Sequence, residues 1–284
     1  TVEANVRVNK ITGSGTIRSG YNGAGYQNLT IGVDNGSSTF AGVIANAESA
    51  GSLLKTGSGT ITLTGANTYT GTTNVSAGTL LINGSTSNAS AVTVGLNGTL
   101  GGTGTVGGNT TISGIHSPGN SPGIQTFTGN LSYVNGGTPD PTVNWELASN
   151  TTTVGVNPTA NFDQIIVGGN LDFTHTTNLN LTFNGVGSAV LWSDSLWDAN
   201  QSWLLYDVAG ITTNIANLNL NTVNWLDSGS NLFSTAGGSF TLSKNGEDVM
   251  LNFTAVPEPS TYGIGLGAMA LALAAVRRRR QKKS

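Results

Sequence analysis

The chain has 284 residues, no cysteine, 9% charged residues and a formal net charge of −3 at pH 7. The absence of thiols excludes disulfides, thiol catalysis and cysteine-ligated metals. No basic residue lies between Lys55 and Lys244, so that stretch cannot neutralise phosphates, and nucleic acids and nucleotides are poor partners.

The first residues, Thr1 to Lys10, contain no apolar signal-peptide core. An upstream signal peptide is expected. From there the chain is rich in glycine, with 41 Gly against 7 Pro and no G-X-Y period, so it is not collagen. Short runs alternate apolar and polar residues: Thr60-Ile61-Thr62-Leu63-Thr64, Thr79-Leu80-Leu81-Ile82, Ala91-Val92-Thr93-Val94, Thr99-Leu100, Thr105-Val106 and Thr110-Thr111-Ile112. They are rich in strand formers and are punctuated by Gly and Asn. Strands this short cannot bury a face as isolated hairpins. Stacked as rungs, they bury one continuous core. Gly and Asn then serve the corners.

Residues Ser52-Leu53-Leu54-Lys55-Thr56-Gly57-Ser58-Gly59-Thr60-Ile61-Thr62-Leu63, followed by Gly65-Ala66-Asn67-Thr68-Tyr69-Thr70-Gly71 and Gly78-Thr79-Leu80, carry a specific pattern. Over residues 52–84 it resembles the autotransporter-associated β-strand repeat. The lead-in Phe40-Ala41-Gly42-Val43-Ile44 fits the same family. The resemblance implies a right-handed parallel β-helix in a secreted, surface-associated protein. One strong copy is present, and no β-barrel translocator pattern follows it, so export is expected by the Sec route with a C-terminal signal.

Three motifs in this half fail on their context. Gly102-Thr103-Gly104-Thr105-Val106-Gly107 fits G-x-G-x-x-G, but a strand follows where a dinucleotide site needs a helix. Gly101-Gly102-Thr103-Gly104 begins like a calcium nonapeptide, yet Val106 stands where an Asp ligand is required. Gly119-Asn120-Ser121-Pro122-Gly123 fits a nucleophile elbow, but Pro122 has no N–H for an oxyanion. Ser121 reads as a turn residue.

Beyond Thr126 the rungs loosen, and strands are expected at 143–147, 163–167, 171–173 and 179–183. All five tryptophans (Trp145, Trp192, Trp197, Trp203 and Trp225) fall in this part. It reads as an irregular β cap over 126–255, following rungs over 1–125, with 192–198 as a short surface helix or loop. The tryptophans read as core of the cap, against a rival reading as a sugar-stacking platform. His116 and His175 are expected on the surface or in turns, without the further ligands a metal needs. Asp163, Asp172, Asp194 and Asp198 are the best carboxylates for glycan hydrolysis if they converge on one groove. Their expected role is instead to solvate loops and cap turns. Asn-x-Ser/Thr runs such as Asn109-Thr110-Thr111 and Asn150-Thr151-Thr152 read as ladder residues.

The chain ends on Val256-Pro257-Glu258-Pro259, an apolar run from Tyr262 to Val276, and the basic cluster Arg277-Arg278-Arg279-Arg280 with Lys282 and Lys283. As a helix the run spans roughly 20 Å, short of the ~30 Å hydrocarbon core, a gap that snorkelling and thinning can close. The positive-inside rule keeps the C-terminus cytoplasmic. This tripartite tail resembles the PEP-CTERM sorting signal of Gram-negative bacteria. The resemblance implies recognition by exosortase, transient inner-membrane anchoring through 262–276 and processing near the Pro-Glu-Pro.

Together these readings give an all-β chain, a right-handed parallel β-helix with an irregular cap and a C-terminal transmembrane helix. The expected function is structural or adhesive, without catalysis or cofactor, at the cell surface or in an extracellular matrix or biofilm. The expected partners are exosortase, the membrane and extracellular polysaccharide. The alternative is a polysaccharide-active β-helix enzyme or a carbohydrate-binding module.

Overall fold

The computed structural model describes residues 6–21, 27–120, 122–151, 161–222, 224–234 and 237–256. Pro257, Glu258, Pro259, the 262–276 segment, Arg277 to Arg280 and the turn residue Ser121 lie outside the described residues. Among the described residues the protein is all-β, with two short 3₁₀ turns, Ser195–Asp198 and Ile215–Asn217, as its helical elements. No described helix is long and apolar enough to cross a membrane.

The strands form sheets of fifteen, six and two members. Among the described residues, every pairing between strands is parallel except the two made by Asp248–Ala255. The repeat supplies three strands, Ser52–Lys55, Thr60–Leu63 and Thr73–Ile82. The third is long enough to pair with both of the others, through Thr73–Val75 and Thr79–Ile82. Its other edge pairs with Val92–Gly102. Such ladders of successive short strands are consistent with a solenoid.

Register turns this pairing into columns of side chains. Ile31 lies beside Lys55, Lys55 beside Val75, Val75 beside Val94, and Val94 beside Ile112. The column continues through Tyr133 to Phe173. A second column runs Phe40, Leu63, Ile82. Ile61, Leu63, Leu80 and Ile82 are fully buried, as their period-two spacing predicts. Their partners sit one strand spacing away, about 4.8 Å, so apolar residues stack on apolar residues with little void.

Lys55 is the exception in its column. It occupies an inward position and is fully buried, between Ile31 and Val75. Its ammonium donates to the carbonyls of Thr56 (2.7 Å), Gly57 (2.9 Å) and Ala77 (3.1 Å). Those oxygens face a corner, and the ammonium satisfies them where a water or cation would otherwise be needed. Desolvation lowers its pKa from the usual lysine value. The corner also needs glycine. Gly57 and Gly78 both adopt φ +65°, and a Cβ on Gly57 would lie 2.0 Å from the Gly32 carbonyl oxygen.

Asparagines tie other corners together. The Asn109 side-chain oxygen accepts from the Asn130 N–H (3.0 Å), that of Asn130 from the Asn170 N–H, and that of Asn170 from the Ile211 N–H (both 2.9 Å). Each asparagine follows a glycine and precedes a strand, so one Gly-Asn pair serves each corner. This is the ladder role expected of Asn109.

The parallel rows end at the hairpin Gly238–Asn245 and Asp248–Ala255, whose second strand runs antiparallel to Gln201–Val208. Beneath it, Phe240 packs 5.0 Å from Trp225, 5.2 Å from Phe253 and 5.4 Å from Phe183. Trp145, Trp197, Trp203 and Trp225 are buried, so they belong to the core. Trp192 is half-buried, and its indole N–H donates to the Asn231 carbonyl at 2.9 Å. The expected short helix or loop at 192–198 contains a 3₁₀ turn, Ser195–Asp198, capped by Asp194.

Leu63→Asp places an unpaired carboxylate between Phe40 and Ile82, and is expected to cost several kcal/mol of unfolding free energy. Urea denaturation followed by circular dichroism measures it. An unchanged midpoint would show that this column is not the core.

Candidate functional site

The strand Asp248–Ala255 delivers the chain to its tail. Ala255 N–H donates to the Asn200 side chain (3.0 Å) and Val256 N–H to the Gly237 carbonyl (3.0 Å), yet the Val256 side chain is exposed. The sorting residues that follow begin from a fixed, solvent-facing point.

Of the four aspartates considered for chemistry, Asp163, Asp172 and Asp194 are each engaged by partners of their own. Asp172 accepts from the Thr213 hydroxyl (2.6 Å) and the Asn214 amide (2.8 Å). Asp194 accepts from the Leu196 N–H at 2.8 Å, a bond that holds its carboxyl below the usual range. Asp198 is exposed in the 3₁₀ turn. Asp163 is buried, and its two oxygens accept from the N–H groups of Gly123 (2.8 Å) and Glu146 (3.0 Å). Its backbone carbonyl accepts the Trp145 indole N–H. Burial pushes the Asp163 carboxyl up to about 8 against those two N–H groups, and the nearby Glu146 adds to the rise.

Asp163 and Glu146 line one cleft of about 330 Å³, together with Leu81, Ser117, Asn144 and Thr182. Glu146 escaped sequence reasoning because it ends a strand, Thr142–Glu146, that reads only as core. No group of three or more His, Cys, Asp or Glu side chains is placed to hold a metal among the described residues.

His116 corrects an expectation. It was placed on the surface or in a turn, but it is fully buried, one residue into the strand Ile115–Pro118. It stacks in register between Leu100 and Val143. Its partners fix every proton along the chain. The Gln125 amide donates to the Gly101 carbonyl (2.9 Å), so its oxygen must face His116 Nε2 (2.9 Å) and accept from it. Nδ1 then accepts from the Tyr133 hydroxyl (2.6 Å), which accepts in turn from the Tyr206 hydroxyl (3.0 Å). Burial pushes the imidazole pKa down to about 4, so the ring is neutral at pH 7, as an accepting Nδ1 requires. His175, by contrast, is half-buried and meets Asp140 at 3.2 Å.

This body offers core-building polar groups, and the functional signal comes from two segments. Residues 255–281 match the PEP-CTERM protein-sorting motif. Residues 53–82 match the passenger-associated-transport-repeat. Both resemblances read from the sequence are borne out. No curated protein matches the chain. The sorting signal indicates a protein exported to the cell envelope or surface and processed by exosortase.

The His116 network generates a pH prediction. Unfolded, the imidazole takes up a proton as the pH falls through 6.5, whereas the folded chain resists until about 4. Its contribution is full above pH 6.5 and falls by about 1.4 kcal/mol per pH unit below it, about 3 kcal/mol in all. Asp163 acts oppositely. Its carboxyl is raised from 3.8 to about 8, so its contribution is full below pH 3.8 and is lost as the pH rises through 8. Comparison with His116→Gln isolates the histidine. The stability of the wild type relative to this variant is expected to drop by about 3 kcal/mol between pH 7 and pH 4. A pH-independent difference would mean that His116 is not held neutral.

Proposed function

We propose that the chain is a non-enzymatic structural or adhesive protein of the Gram-negative cell surface or extracellular matrix, including biofilm. In this reading its body is a right-handed parallel β-helix over 1–125, closed by the β cap over 126–255, and carries no cofactor. The sorting signal over 256–284 anchors it transiently in the inner membrane through residues 262–276, with the basic Arg277 to Arg280 on the cytoplasmic side. Exosortase then acts near Pro257-Glu258-Pro259.

The observation that carries this reading is the pairing of a sorting signal with a repeat known from exported passengers, on one charge-poor chain. The titratable groups of the body support it. General acid–base catalysis requires such a group within reach of a reacting atom. Lys55 and His116 are buried and consumed by internal hydrogen bonds, and both oxygens of Asp163 are held by backbone N–H groups.

The test is made in cells that possess exosortase. Mass spectrometry of the surface-localised protein is expected to find the Arg277 to Arg280 segment removed, and Glu258→Ala to leave it attached in the membrane fraction. Surface-localised protein that retains Ser284 would overturn the sorting mechanism.

A further inference from the structure

The cleft beside Glu146 lies at the end of a row of outward-facing side chains. The row is set by register: Leu81 beside Gly101, Gly101 beside Ser117, and Asn144 beside Asn180. Gly101 has no side chain, so the surface dips between Leu81 and Ser117, two strand spacings or about 10 Å apart. Gly119 and Gly185 line the same dip.

On the far side the row is a chain of amides. Asn221 donates to the Asn180 oxygen, Asn180 to the Asn144 oxygen, and Asn144 to the Ser117 hydroxyl, each at 3.0 Å. All the dipoles point one way, and each bond polarises the next. The series ends on Ser117, whose hydroxyl accepts from Asn144 and still has a proton to donate. Each asparagine also keeps one amide N–H and one carbonyl lone pair beyond those the row consumes.

We propose that this cleft and amide row bind an uncharged, hydroxyl-rich polysaccharide lying across the strands from Leu81 toward Asn221. The proposal rests on the adhesive reading above and names the partner it engages. A sugar hydroxyl both donates and accepts, which matches the alternating donors and acceptors of Ser117, Asn144 and Thr182. Leu81 gives the apolar surface that the C–H face of a sugar ring needs, and a concave site with few polar groups is the usual anatomy of a ligand pocket. Charge selects against acidic glycans: the Glu146 carboxyl lines the cleft, and the chain has no Lys or Arg from residue 56 to 243 to pair with a glycan carboxylate.

The test uses the purified full chain in detergent and calorimetric titration with cellohexaose, laminarihexaose and maltohexaose, with a galacturonate hexamer as the anionic control. At least one neutral hexamer is expected to bind with a Kd of about 1 mM or tighter, and the anionic one not at all. Leu81→Arg and Asn144→Leu are each expected to weaken binding by about tenfold or more. Thr93→Arg, on an outward face of another ladder, is expected to leave it unchanged. Side-chain amide resonances of Asn144 and Asn180 in the wild-type chain are expected to shift on titration, which keeps the test decisive if a variant misfolds. Failure of all three neutral hexamers to bind, equal binding of the galacturonate, or unmoved Asn144 and Asn180 resonances would overturn the proposal. Shortening of the bound hexamer would overturn the binding-only role. Leu81→Arg is expected to be sorted and processed as the wild type is, so loss of the glycan site and loss of the sorting reading are separable.

Discussion

Parallel backbone pairing in continuous register is the constraint on which this molecule depends. Once Leu53 lies beside Leu29 and Thr73, every later residue in those strands has its neighbours assigned. A side chain is then judged by the column it joins. Apolar columns need no further help. A polar residue in an inward column must bring its own partners, because a buried group without hydrogen bonds costs far more than a satisfied one gains. Lys55 meets this demand with three carbonyls, and His116 with Gln125 and Tyr133. The outward columns face the opposite rule. They carry Thr, Ser and Asn, which satisfy one another along the stack and leave the surface nearly free of charge.

The repeat was the most legible part of the chain. Alternation of Ile61 and Leu63 with threonine has period two, which points both side chains to one face, and the structure buries both completely. The core role of four tryptophans followed from their size and is found. The polar interior was not legible. Ile115-His116-Ser117 precedes a Pro-Gly turn, and nothing local distinguishes a histidine at a turn from one in a column. Its partners Tyr133 and Tyr206 lie 17 and 73 residues away from His116 and Tyr133 respectively, so only the fold unites them. Lys55 was recognised as part of a pattern, but its reason, three carbonyls at a corner, is three-dimensional. The Gly-Asn corners were visible in principle, since Gly108-Asn109, Gly129-Asn130 and Gly169-Asn170 each stand directly before a strand.

The candidate site divides in the same way. Its sorting half is linear, carried by residue order alone, and was readable from the last residues. Its cleft half depends on what is missing, since Gly101, Gly119 and Gly185 shape it by having no side chain. Concavity of that kind arises from the alignment of strands that are distant in sequence. Glu146 and Asp163 meet there because an antiparallel bridge between Leu147 and Phe162 brings their segments together, with the Glu146 N–H donating to the Asp163 carboxyl.

The closing hairpin has a mechanical consequence. Asp248–Ala255 is the middle strand of its group, flanked by Gln201–Val208 on one side and Gly238–Asn245 on the other. The chain leaves that middle strand at Val256. A force applied along this strand at Val256 would shear two hydrogen-bonded ladders at once instead of unzipping one bond at a time. The last described strand is thus held by two ladders where an edge strand would be held by one.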